Sequence, residues 1–116
     1  MNEIAQKKYD FDKSEIYTAK MIEPAEEFDD VESLSISKRS LGYIEQHRGN
    51  FNQSEKHVKE ALRIAFEYDL PEEIIKCYQN LSVLAMARLD FRNQLLYEEK
   101  SDSIKKLLVQ NSRPMD

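Results

Sequence analysis

Apolar side chains along this chain recur at helical spacing, and the pattern is broken at regular intervals by turn residues. From Val31 to Arg48, Leu34, Leu41, Ile44 and the aromatic Tyr43 fall near a helical period. A second stretch carries Val58, Ala61, Leu62, Ala65 and Phe66 on one stripe. Between them lies Gly49, where a helix C-terminus favours a left-handed residue. Asn50 is then placed to cap the next helix by accepting from its orphan amides, and Phe51 to pack between the two helices. Asp69 closes the second helix, and Leu70-Pro71-Glu72-Glu73 opens a third, with proline suited to a first turn and the acids to the helix dipole. Taken along the whole chain, the pattern predicts helices over 12–28, 31–48, 52–68, 72–88 and 92–110. Pro24 predicts a kink or early stop near Glu23, because a proline inside a helix removes a hydrogen bond and crowds the preceding turn.

The pattern is also a repeat. A shift of 40 positions superimposes Tyr9-Asp10-Phe11, Gly49-Asn50-Phe51 and Leu89-Asp90-Phe91. The same shift places Ser14 on Ser54, Glu32 on Glu72, Leu34 on Ile74, Leu41 on Leu81 and Arg48 on Arg88, and it aligns Ile4, Ile44 and Leu84. Residues 1–8 align with the last turns of an earlier helix, so the array is expected to begin partway through a unit. One all-α domain is expected over 1–110, about two and a half repeats, with 111–116 fraying.

Composition agrees with helices and excludes several classes. The 116 residues are 41% apolar and 34% charged, too apolar for a disordered chain and too polar for a membrane protein. Two glycines and three prolines are too few for the many turns of an all-β domain. No stretch approaches the ~20 apolar residues of a membrane span. The N-terminal residues lack the apolar run of a secretory signal, and the single Cys77 cannot form an internal disulfide, so a cytoplasmic location is expected. The net charge is −5, with ten acidic and four basic residues in 1–32. No basic stripe marks a nucleic-acid surface.

At Leu41-Gly42, Gly49-Asn50-Phe51, Ser54 and Ala61-Leu62 the chain resembles a tetratricopeptide repeat (TPR), of a long type with a unit of about 40 residues rather than the commoner 34. The resemblance runs over residues 9–108 and is best in the middle unit. Departures include Leu89 in place of the turn glycine, Gln94 in place of the small residue at Ser14 and Ser54, and Met21 and Ser101 where the middle unit has Ala61. The resemblance implies stacked helical hairpins with the first helix of each pair lining a concave face. It therefore implies a protein- or peptide-binding adaptor, with Ile36, Arg39, Ser40, Tyr43, Gln46 and His47 as lining from one helix. From the next come Lys76, Gln79, Asn80, Val83 and Met86, a mixture of amides, bases and apolar groups suited to a peptide. Some family members clamp a C-terminal carboxylate with two bases and two asparagines. Arg39, Lys76 and Asn80 fall at such positions, but Tyr43 replaces an asparagine, so ordinary polar lining is the expectation.

Catalytic chemistry is not indicated, and no cofactor or metal is expected. His47 and His57 have no partner at zinc-ligand spacing, and Cys77 reads as a small core residue. Asp10-Phe11-Asp12 lacks the glycine and later glutamate of a calcium loop. The aromatic residues read mostly as core, except Tyr43, which is expected to point away from the Leu41/Ile44 stripe. In the last helix Leu95, Leu96, Ile104, Leu107 and Leu108 read as one uncovered apolar face, which makes homo-oligomerisation or docking through that helix the alternative to peptide binding.

Overall fold

The structure is a computed structural model that describes residues 12–13, 15–16, 18–20 and 30–112, the last two without their side chains. Four complete helices follow one another: α1 Val31–His47, α2 Phe51–Glu67, α3 Pro71–Ala87 and α4 Phe91–Ser112. The described residues between 12 and 20 are helical as well, and no strand occurs among the described residues. The fold is all-α, an array of helical hairpins. Successive helices begin at 31, 51, 71 and 91, so the hairpin recurs every 40 residues as the sequence pattern predicts. Boundaries fall within about a residue of expectation except that α4 runs on to Ser112, past the expected end at 110. Pro24, residues 1–8 and the tail from 113 lie outside the described residues.

All three tight turns are built alike. Gly49, Asp69 and Leu89 each adopt a left-handed backbone, with φ of 84, 53 and 61°. In each, the next amide reaches back to close the helix: Asn50 to Glu45 O, Leu70 to Ala65 O and Asp90 to Ala85 O, all at 2.8 Å. Only the first turn has the glycine this geometry favours. Leu89→Gly is therefore expected to raise the unfolding free energy by about 1 kcal/mol, measured by urea titration, because a left-handed Cβ costs about that much.

Caps are less regular. Asp30 accepts from the Ser33 amide at 3.1 Å and from its hydroxyl at 2.7 Å, which holds the Asp30 carboxyl below its usual range. Pro71 opens α3 at its first turn. The expected side-chain cap at Asn50 does not form. Its amide instead donates to Glu45 Oε1 at 3.1 Å, a charged acceptor within the same turn.

α1 packs on α2 and α3 on α4 to make two hairpins; α2 against α3 joins them, and α1 also touches α3 directly. Val58, Ala61, Ala65, Ile74, Cys77, Tyr78 and Leu81 form the shared core, with Leu62, Leu70, Tyr97 and Ile104 packed against it. Small residues set the spacing. The Ser54 hydroxyl donates to Gly42 O at 2.6 Å and that of Ser35 to Ala61 O at 3.0 Å, so helices meet nearly backbone to backbone. Such close interfaces leave little room for rings. Tyr78 is buried, but Phe66, Tyr68 and Phe91 are exposed, which corrects the expectation that the aromatic residues other than Tyr43 are mostly core. Ile64 is buried on α2 in place of Phe66.

The 40-residue period also holds in tertiary contacts. Arg48, just past the end of α1, pairs with Asp12 and with Glu15 at 2.9 Å. Arg88, just past the end of α3, donates to Asn52 at 2.8 Å and pairs with Glu55 at 3.3 Å, its guanidinium 5.7 Å from the Phe51 ring centroid. Positions 12, 15 and 48 thus repeat at 52, 55 and 88.

A candidate binding face along α1 and α3

Because α1 and α3 are neighbours at equivalent places in two hairpins, their outward positions pair by the same shift: Ile36 with Lys76, Ser40 with Asn80, Tyr43 with Val83, Gln46 with Met86. Three of these are large apolar groups left substantially in solvent, Tyr43 at 44%, Val83 at 44% and Met86 at 46%. Tyr43 does point away from the core, as its position relative to Ile44 predicts. Its ring centroid lies 4.2 Å from that of His47, whose Nδ1 is 3.0 Å from Tyr43 O. Lys76, Gln79 and His47 are exposed, and Ile36, Ser40, Gln46 and Asn80 are half-buried.

Arg39 is placed differently from a binding group. Its Nε donates to Glu73 Oε1 at 3.0 Å, and the Lys76 ammonium sits 3.8 Å from the other carboxylate oxygen. Glu73 is only 5% exposed, so this is a largely buried pair that ties α1 to the start of α3. Of the clamp positions implied by the TPR resemblance, Arg39 is committed to Glu73, whereas Lys76 stays exposed beside the same carboxylate and Asn80 Nδ2 is buried without a hydrogen-bond partner. Nothing in the sequence distinguishes Glu73 from Glu72, since both read as acids complementing a helix N-terminus.

Two clefts flank the face. One of about 300 Å³ is lined by Glu32 and Ile36 of α1, the turn Asp69–Pro71, and Glu72, Glu73 and Lys76 of α3. The other, about 310 Å³, lies between α3 and α4 and takes in Gln79, Ser82 and Val83 with Glu98, Ser101, Asp102 and Lys105. Arg39, Ser40, Tyr43, Gln46, His47, Asn80 and Met86 line neither cleft. The α4 contribution was not legible as lining, because in sequence Ser101 reads only as a departure from the alanine of the middle repeat.

The expected apolar face of α4 is divided. Ile104 packs on the core and Leu108 is half-buried, while Leu95, Leu96 and Leu107 are exposed. Adjacent positions on a helix differ by about 100°, so neither Leu95 and Leu96 nor Leu107 and Leu108 can both face inward.

Cys77 is fully buried, and its thiol is pushed up to about 12, chiefly by burial, with Glu73 adding to the shift and Arg39 opposing it. It is expected to stay unmodified by a thiol reagent near pH 8 in the native state and to react fully once denatured, read by intact-mass spectrometry. His47, His57 and Cys77 line neither cleft, and no three His, Cys, Asp or Glu side chains among the described residues are placed to hold a metal. No helix among the described residues is long and apolar enough to cross a membrane.

No protein-family model matches this chain, and neither curated proteins nor solved structures match it significantly.

Proposed function

We propose that this chain is a non-catalytic adaptor of tetratricopeptide type that holds a peptide or protein segment against the outward face of α1 and α3. The observation that carries this reading is the exposed row of Tyr43, Val83 and Met86, which lies at paired repeat positions on neighbouring helices. Exposed apolar groups spaced along such a face, interleaved with Lys76, Gln79, His47 and Asn80, suit a segment whose side chains meet the apolar groups and whose backbone meets the polar ones. The repeat built into helix starts, turns and arginine contacts supports the stacked-hairpin assignment. A cytoplasmic setting goes with this proposal.

The test is affinity capture from native lysate followed by mass spectrometry, comparing the parent chain with Tyr43→Ala and Val83→Ser. Both positions are exposed, so the variants are expected to keep their thermal stability and lose the captured protein. Equal capture by all three would sink the reading. Arg39 is unsuitable for this purpose because its removal is expected to destabilise the fold through Glu73.

A second reading, self-association through α4, is favoured by the exposed Leu96 and Leu107, three turns apart on one flank of the helix. Light scattering of a strict monomer at about millimolar concentration would argue against it.

A further inference from the structure

The cleft between α3 and α4 occupies a special place in the repeat. Its α4 residues Glu98, Ser101, Asp102 and Lys105 fall, by the 40-residue shift, on Val58, Ala61, Leu62 and Ala65 of α2. In the first hairpin those positions are covered by α3, and Val58, Ala61 and Ala65 share one core with its Ile74, Cys77 and Leu81. The equivalent place on the second hairpin is the open cleft of about 310 Å³, shaped by the same geometry that receives a helix one unit earlier. Its chemistry has changed from apolar to polar.

One group there lacks a partner. Ser101 is only 2% exposed, lines the cleft, and its hydroxyl makes no hydrogen bond. A buried hydroxyl left in that condition is destabilising unless something supplies its bond. Around it stand the exposed carboxylates of Glu98 and Asp102, the first accepting from the Ser82 hydroxyl at 3.2 Å, the second 4.0 Å from the Lys105 ammonium. Val83 forms an apolar wall. Two carboxylates against one ammonium leave the cleft negative.

We propose that this cleft docks one helix of a partner protein that carries a lysine or arginine. The helix would lie on α3 and α4 as α3 lies on α1 and α2. Its basic side chain runs its methylenes along Val83, sets its charge between Glu98 and Asp102, and donates an N–H to the Ser101 hydroxyl. The site is separate from the Tyr43 row, although Val83 borders both, and it does not depend on that face binding anything.

Two synthetic helical peptides of 17 residues, the length of α3, test it on the full chain by amide-resolved NMR titration. One carries leucine and lysine along a single face; the other replaces each lysine with glutamate. Saturable shifts centred on Ser82, Glu98, Ser101 and Asp102 are expected with the lysine peptide alone. Asp102→Lys is expected to weaken binding about tenfold, and Ser101→Ala to weaken it several-fold without lowering thermal stability. Tyr43→Ala is expected to leave this binding unchanged. Equal binding of both peptides, absence of binding at about millimolar peptide, or loss through Tyr43→Ala but not Asp102→Lys would each overturn the proposal. None of these counts against the α1–α3 face, and the last would place the peptide there instead of in the cleft. Self-association of the chain abolished by Asp102→Lys would place a second copy in the cleft and overturn it too.

Discussion

Arg39→Ala is expected to lower the unfolding free energy by about 3 kcal/mol, the range seen when one partner of a buried ion pair is removed. The cause lies with the partner rather than with Arg39. Glu73 is 5% exposed and would keep only Lys76, at 3.8 Å on an exposed side chain, to balance its charge. The start of α3 offers some compensation, since its amides and dipole favour a carboxylate in the first turn. That is worth less than the lost guanidinium bond at 3.0 Å. Because the pair joins α1 to α3 across the hairpins, the loss is expected in the cooperative unfolding transition, not as local fraying. Replacing both partners with apolar residues, Arg39→Met with Glu73→Leu, is expected to recover most of the stability. A single-variant loss below about 0.5 kcal/mol would mean that the pair behaves as a solvated surface bridge.

Gly42→Ala is expected to cost up to about 2 kcal/mol, although alanine is the better helix former. The new methyl would stand 2.4 Å from Val58 Cγ2 and 3.0 Å from Ser54 O. Val58 is fully buried and Ser54 is held by its own hydroxyl bond to Gly42 O, so neither can withdraw without shifting α2 from α1. Overpacking of this kind costs about 1–3 kcal/mol, and helix propensity returns about 1. A double variant, Gly42→Ala with Val58→Ala, is expected to lose much less than the two single losses combined, since the smaller side chain removes the clash. Additive losses would show that the methyl is accommodated elsewhere.

These two sites also show where the sequence is informative. Gly42 could be identified beforehand as part of a Leu-Gly pair, and the helix ends followed from Gly49, Pro71 and the apolar stripes. Local signals of this kind act within one turn of the chain and survive into the fold. The Arg39–Glu73 pair could not be seen, because its burial comes from stacking residues 34 positions apart. Asn50 misled for a related reason: its cap position was right, but the nearby Glu45 competed for its side chain. In α4 the sequence suggests one apolar face, whereas helical phase sends Ile104 inward and Leu95, Leu96 and Leu107 outward. Of the proposed lining, the exposure of Tyr43 follows from its spacing relative to the core stripe, whereas Val83 and Met86 are indicated only by the tetratricopeptide resemblance. The two clefts did not, since each needs side chains from separate helices.

The central claim is that partner capture uses the outward face of α1 and α3. Hydrogen exchange of the chain with and without its captured partner tests this most directly, because it locates protection along each helix. Added protection in α1 around Tyr43 and in α3 around Val83 and Met86, with α2 unchanged, is the expected result. Protection confined to α2, or to the Leu96 and Leu107 flank of α4, would contradict it.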